Sequence, residues 1–277
     1  MTSSIGRSKK NIKNRIFNTN DSFFIHLFRS PIILLGFLLS KIYSFFKLDN
    51  FYIFRRIFFF FYYYSKRFMD RKSCKYIIRN IKKKDVFLDV GSAYGFYPHF
   101  LERLNLNINI IAIEPDYICL KYINDLKLFK NKKNKVINLG VFSKKCKKKL
   151  YISNQNRGEN SLYKNSIHDY QLNINLETID NIIKNKKINF IKIDTQGSEI
   201  EILKGMRKTL KKKINLILEY SPSDLKIKNK SFDLIKFLKK NNFKIQRLDY
   251  GKFVNKKEDL IDINNKNLRQ TDLFCFK

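Results

Sequence analysis

The 277 residues are 44% hydrophobic and 15% aromatic against 29% charged, a balance that suits one α/β domain with an extension and excludes a disordered chain. The formal charge of +33 would point to an acidic partner, but Lys, Asn, Ile, Phe and Tyr are abundant together while Trp is absent, so codon bias towards A and T is the preferred cause. Cys74, Cys119, Cys146, Cys275, His26, His99 and His168 show no spacing of a zinc site or disulfide framework, so packed, reduced thiols and no bound metal are expected.

Residues 1–20 are polar and basic and lack the apolar stretch of a secretory signal, which predicts a mobile tail. From Phe23 to Phe68, aromatic and aliphatic runs are broken by single cations, with Ile32–Leu39 and Ile57–Tyr64 the longest. Both are far below the roughly 20 residues of a membrane-spanning helix. Residues 21–80 are therefore expected to form a helical hydrophobic extension. It either covers the following domain, forms an oligomer contact, or lies in the headgroup region at the inner face of a membrane.

Alternation of strand-like and helix-like segments begins near Asp85 and defines a domain over 81–277. Val86–Val90, Asn109–Ile113, Lys135–Leu139, Leu150–Ser153, Phe190–Asp194, Asn215–Tyr220 and Phe243–Leu248 read as strands. Tyr97–Leu104, Asp116–Phe129, Thr178–Ile183, Ser198–Leu203, Met206–Leu210 and Phe232–Lys240 read as helices. Lys144–Lys149 reads as a solvated turn, Asn154–Asp169 as a polar loop, and the order blurs between Phe142 and Leu176. Such alternation predicts a mostly parallel sheet with helices on both faces, because parallel strands need crossovers.

The chemistry concentrates at three strand ends. Asp85-Val-Phe-Leu-Asp89-Val-Gly91-Ser-Ala-Tyr-Gly95 runs from a strand through a glycine-containing loop into a helix, where the backbone can turn tightly and approach a ligand. The G-x-G-x-x-G fingerprint is absent, which argues against NAD or FAD. Asp89 is placed to meet a cationic ligand end. Glu114 closes the next strand, where open α/β folds use a carboxylate to bind ribose hydroxyls. Asp194 ends a central strand, followed by Thr195, Gln196, Gly197 and Glu199, the last favouring a helix N-terminus electrostatically.

Asp89-Val-Gly91 with Gly95, Glu114-Pro115, Asn138-Leu-Gly140-Val-Phe-Ser143, Leu176-Glu-Thr178-Ile-Asp180, Lys192 through Gly205 and Leu218-Glu219 together resemble the FkbM family of S-adenosylmethionine-dependent methyltransferases. That resemblance implies a class I methyltransferase, Rossmann-like fold with a seven-stranded sheet whose last strand is antiparallel. It also implies S-adenosylmethionine as cofactor and O-methylation of a carbohydrate, glycolipid or secondary metabolite. Asp89, Gly91, Gly95, Glu114 and Asp194 are then the expected cofactor-binding residues. This chain departs from many members at Ala93-Tyr94-Gly95 and at Gln196, where an acid is common and an amide cannot act as a base.

A hydroxyl nucleophile gains from a base within about 3 Å, and Asp194 is the first candidate, with Glu219 second. His99 is expected to pack. Asn154–Ser161, with Arg157, Gly158 and Glu159, is either an acceptor-binding loop or plain surface. The acceptor is expected to be a small molecule or glycan and the site of action cytoplasmic, peripheral to the inner membrane face if the extension docks. Two rival readings stay open: a catalytically silent membrane- or polysaccharide-associated binding protein on the same fold, and a nucleic-acid methyltransferase, which the charge favours and the lack of an Asn-Pro-Pro-Tyr-like motif opposes.

Overall fold

A computed structural model describes residues 38, 42, 43, 45–184, 186–221, 230–255, 257–260 and 270–277. The expected tail over residues 1–20 and the run Ile32–Leu39, apart from Leu38, lie outside them. In chain order the strands are β1 (Val86–Val90), β2 (Asn109–Ile113), β3 (Lys135–Ile137), β4 (Gly140–Val141), β5 (Cys146–Ile152), β6 (Tyr170–Glu177), β7 (Phe190–Ile193), β8 (Asn215–Tyr220), β9 (Lys244–Arg247) and β10 (Thr271–Phe276). The helices are α1 (Tyr52–Met69), α2 (Arg71–Asn80), α3 (Phe96–Glu102), α4 (Tyr117–Asn124), α5 (Ile179–Ile183), α6 (Glu199–Lys204), α7 (Arg207–Leu210) and α8 (Lys230–Lys240).

The main sheet has seven strands in the order β3-β2-β1-β7-β8-β10-β9. Pairing is parallel from β3 to β8, while β10 runs antiparallel to both β8 and β9. The sheet with an antiparallel last strand, expected from the family resemblance, is therefore present. Because side chains alternate across a strand, each apolar strand feeds two cores. Leu88, Val90, Ile191, Ile193, Leu216 and Leu218 meet α6 and α8 on one face. Phe87, Phe190, Ile217 and Phe274 meet the aromatic residues of α1, α2 and α3 on the other.

α1 reads Tyr-Ile-Phe-Arg-Arg-Ile-Phe-Phe-Phe-Phe-Tyr-Tyr-Tyr-Ser-Lys-Arg-Phe-Met, a composition of weak intrinsic helix formers. Its helicity comes from packing. Phe58, Phe59 and Tyr63 are buried against Tyr94, Tyr122, His99 and Phe96, and Arg55 Nε donates to Asp125 Oδ2 at 2.6 Å. The extension is thus a wall of the sheet domain, separate from it in sequence but not in space.

A second, three-stranded sheet, β4-β6-β5, fills the stretch where the sequence order blurs. β6 alternates buried Ile174 and Leu176 with exposed Asn173 and Asn175, a period of two that its asparagines obscure. Two expected elements change accordingly. Lys147, Lys148 and Lys149 are solvated as expected, yet they belong to β5 rather than to a turn. The expected helix Asp116–Phe129 stops at Asn124 and a short 3-10 turn follows at Lys127–Lys130.

Candidate active site at the carboxyl edge of the sheet

The loop after β1 is held against two other strand ends. Gly91 has φ +79, and a Cβ there would lie 2.0 Å from the carbonyl oxygen of Asp194. Only glycine lets this loop pass beside the end of β7. Ala93 also adopts a left-handed φ of 45°, a conformation a non-glycine residue holds only when its surroundings enforce it. Its N–H donates to Glu114 Oε2 at 2.8 Å, while the Asp116 N–H donates to Glu114 Oε1 at 2.9 Å. Glu114 therefore braces the loop as well as facing the ligand space. Burial first of all pushes its carboxyl up, to about 8, partly offset by these hydrogen bonds.

A cleft opens there between the strand ends and the small sheet. Gly91, Ala93, Glu114, Leu139, Arg157 and Asp194 line it, with Leu150, Ile174 and Leu176 of the small sheet supplying an apolar side. The loop Asn154–Ser161 roofs it. Arg157 Nη1 donates to Asp116 Oδ2 at 2.6 Å, and Asn160 Nδ2 donates to the same oxygen at 2.9 Å. Gly95 lies elsewhere: its φ of +86 starts α3, and a Cβ would meet Leu126 Cδ1 at 2.9 Å, so its contacts are core packing.

Around the end of the neighbouring strands, on the face covered by α1 and α2, lies a charged network. Lys192 Nζ is 3.2 Å from Asp272 Oδ1 and 3.6 Å from Asp194 Oδ2, with its side chain 1% exposed. Burial would lower the Lys192 ammonium, but Asp272 and then Asp194 raise it above the usual range. Gln196 Nε2 donates to Asp194 Oδ1 at 3.0 Å and to Glu219 Oε2 at 2.8 Å. Burial pushes the Asp194 carboxyl up, yet Lys192, Lys66 and the Gln196 amide outweigh it and hold it below the ordinary value. Glu219 goes the other way: burial and then repulsion from Asp194 raise it well above. The two carboxyls are thus pushed in opposite directions and are clamped by one amide. A third carboxylate at position 196 would add repulsion in this space, which accounts for Gln196 physically.

The extension joins this network. Lys66 Nζ is 3.1 Å from Asp70 Oδ2, which also accepts from the Tyr97 hydroxyl at 2.8 Å, and the Ser73 hydroxyl donates to Asp272. Asp89 sits beside Lys192 in the β1–β7 register, 1% exposed, and its Oδ2 is buried with no hydrogen-bond partner. Burial pushes its carboxyl up to about 7. An orphaned buried carboxylate oxygen suits a cationic ligand group, and Glu114 at the neighbouring strand end suits a pair of hydroxyls, so this edge fits an aminoacyl nucleoside such as S-adenosylmethionine.

Of the sequence-selected residues, Gly91, Glu114 and Asp194 share the cavity. Asp89 and Glu219 stand behind it in the network, and Gly95 is in the core. Glu199 accepts from the N–H groups of Thr195 and Gly197 and shapes the turn before α6. His99 packs on Phe59 and Tyr63, with Nδ1 3.3 Å from Glu102. Lys192, Asp272, Lys66, Asp70 and the anchoring role of Arg157 escaped the sequence reading. The buried lysine in Phe190-Ile-Lys192-Ile was the signal available, because an ammonium inside an apolar strand requires a carboxylate partner.

The fold is similar to those of several solved methyltransferases. The precorrin-6y C5,15-methyltransferase of Geobacter metallireducens GS-15 is 12% identical over 75% of this chain and 86% of its own, with a TM-score of 0.43. SMU.1697c of Streptococcus mutans, in complex with SAH, is 14% identical over 75% and 96%, with a TM-score of 0.44. The plantazolicin methyltransferase BpumL, in complex with a pentazolic desmethylPZN analog and SAH, is 13% identical over 90% and 99%, with a TM-score of 0.43. No curated protein matches the chain. Residues 89–245, from the Asp89 strand end into β9, match the methyltransferase FkbM domain, and the chain accordingly belongs to that family of class I, S-adenosylmethionine-dependent methyltransferases.

Proposed function

We propose that this methyltransferase modifies a hydroxyl oxygen of a carbohydrate or a similarly hydroxylated small molecule, with Asp194 as the base. The observation that carries this reading is the position of Asp194. It lines the cavity beside Gly91 and is also held ionised by Lys192. When bound, S-adenosylmethionine supplies an electrophilic methyl group whose sulfur keeps the bonding electron pair as the carbon–oxygen bond forms. In this reading Glu114, which lines the cavity, accepts from the ribose hydroxyls, and Asp89, buried behind the lining residues Val90 and Gly91, offers its partnerless oxygen to the methionyl ammonium. Asp194 orients the acceptor hydroxyl by accepting its hydrogen bond, which supports an in-line approach. An oxygen that has gained a methyl group while keeping its proton is a far stronger acid than a carboxylic acid. A carboxylate held below its ordinary pKa is therefore basic enough to take that proton late in the step. Gln196 keeps Asp194 and Glu219 in register by donating to both carboxyls.

Asp194→Asn keeps the shape and removes the base. Methyl incorporation, followed by mass spectrometry of host glycans and lipids for the added CH₂, is expected to fall by about a hundredfold or more. S-adenosylmethionine affinity by calorimetry is expected to change by no more than roughly threefold. Unchanged methylation in this variant removes Asp194 from the chemistry.

A further inference from the structure

Along α1, Ile53, Ile57, Phe60, Phe61 and Tyr64 are 41% to 61% exposed. They recur at the spacing of one helical face. The opposite face is equally apolar but buried in the domain, through Phe58, Phe59 and Tyr63. Rotation about the helix axis is fixed by the Arg55–Asp125 pair and by the Tyr43 hydroxyl donating to the Phe54 carbonyl at 2.8 Å. The outer stripe is therefore presented by a helix that is held in place. It extends through Phe51 and Tyr52 towards Phe45 and Phe46, which are 81% and 62% exposed. A contiguous aromatic patch of this kind marks an interaction surface.

Charge selects the partner. Between Phe45 and Asn80 the carboxylates are Asp49 and Asp70, and Asp70 is engaged by Lys66 and Tyr97. Arg56, at the border of the stripe by helical periodicity, is exposed, as are Lys47, Lys75 and Arg79. Phe, Tyr and Ile interleaved with cations match the headgroup region of a bilayer that carries negative charge. A second copy of this chain matches less well, because across a two-fold axis the same cations would face one another. No helix among the described residues is long and apolar enough to cross a membrane, which leaves a helix lying in the interface. We propose that the outer face of α1 docks this methyltransferase onto an anionic phospholipid bilayer. Docking of this kind does not depend on which acceptor is methylated.

The test is co-sedimentation of the full chain with phosphatidylcholine vesicles containing about one third phosphatidylglycerol. Binding to these vesicles is expected, weakened by roughly tenfold with pure phosphatidylcholine or at high salt. The double substitution Ile57→Asp with Phe60→Asp is expected to lower vesicle binding by about tenfold or more while S-adenosylmethionine binding by calorimetry persists. Should that double variant fail to fold, Arg56→Glu carries the test, with weaker binding to the anionic vesicles expected. No pelleting with anionic vesicles at low salt, or equal pelleting of the folded variants and wild type, overturns bilayer docking. So does a dimer in sedimentation velocity that the double substitution dissolves while vesicle binding is absent.

Discussion

The two sides of the sheet's carboxyl edge are built by opposite means. Towards the small sheet, the cavity is largely apolar, with Leu150, Ile174 and Leu176 on one wall and a few polar side chains, Glu114, Arg157 and Asn160 among them, facing it. Towards α1 and α2, the same strand ends carry Asp89, Lys192, Asp194, Glu219 and Asp272, closed over by Lys66 and Asp70. An apolar slot with a few polar points selects a ligand by shape, whereas a dense buried network fixes protonation states and positions. Asp194 belongs to both, so the cavity side and the side that sets the charge meet at one carboxylate. Damage to either side should therefore have a distinct signature.

Lys192→Met breaks the network side and gives the largest effect. Its ammonium is buried between Asp272 and Asp194, and removing one partner of a buried pair typically costs 3–5 kcal/mol. The expected loss in urea unfolding is about 3 kcal/mol, at the low end because both carboxylate side chains keep 20% exposure. The cavity lining does not include Lys192, so folded variant should still bind S-adenosylmethionine. Stability within about 0.5 kcal/mol of wild type would mean that the network does not depend on its central cation.

The cavity side was more legible from sequence than the network. Asp89-Val-Gly91, Glu114-Pro115 and Asp194 announce strand ends because an acid within three residues of a glycine or proline closes an apolar run, a local signal. The network is assembled from α1, α2, β1, β7, β8 and β10, with partners up to 199 residues apart in the Ser73–Asp272 contact. No local pattern links Ser73 to Asp272. β6 failed to declare itself for a different reason, since Asn173 and Asn175 have low strand propensity and alternate with its two buried residues, Ile174 and Leu176.

Asp89 tests where the two sides communicate. Its folded carboxyl titrates near 7, above the ordinary carboxylate range, because burial disfavours the charge. The folded state thus holds this proton longer than the unfolded chain. Asp89 then makes the unliganded protein less stable as pH rises from the ordinary carboxylate range to about 7. A cationic ligand group at Asp89 requires the ionised form, so S-adenosylmethionine should bind tighter with rising pH. Below pH 7 the affinity is expected to fall by about tenfold per pH unit, flattening above it once Asp89 is ionised. Calorimetry in buffers of different ionisation enthalpy should register proton release, and Asp89→Asn should abolish the slope down to pH 6. A slope unchanged in that variant would place the ammonium elsewhere.

Arg157→Ala breaks the cavity side alone and gives the smallest effect. Asp116 keeps the Ile118 N–H and the Asn160 amide as donors when the guanidinium is gone, so its charge is only partly deserted. A lost hydrogen bond to a charged group contributes about 1.5–3 kcal/mol. Near 1.5 kcal/mol is expected here, because two donors remain. The roof over Glu114 should loosen, weakening S-adenosylmethionine about fivefold and leaving the pH slope of Asp89 in place. Arg157→Lys should recover part of the affinity but not all, since an ammonium lacks the flat guanidinium that spans Asp116 Oδ2 at 2.6 Å and the Tyr170 hydroxyl at 3.3 Å. If instead Arg157→Ala shifts the slope as Asp89→Asn does, the two sides of the edge are not separable, and the roof loop helps to set the charge state of the network.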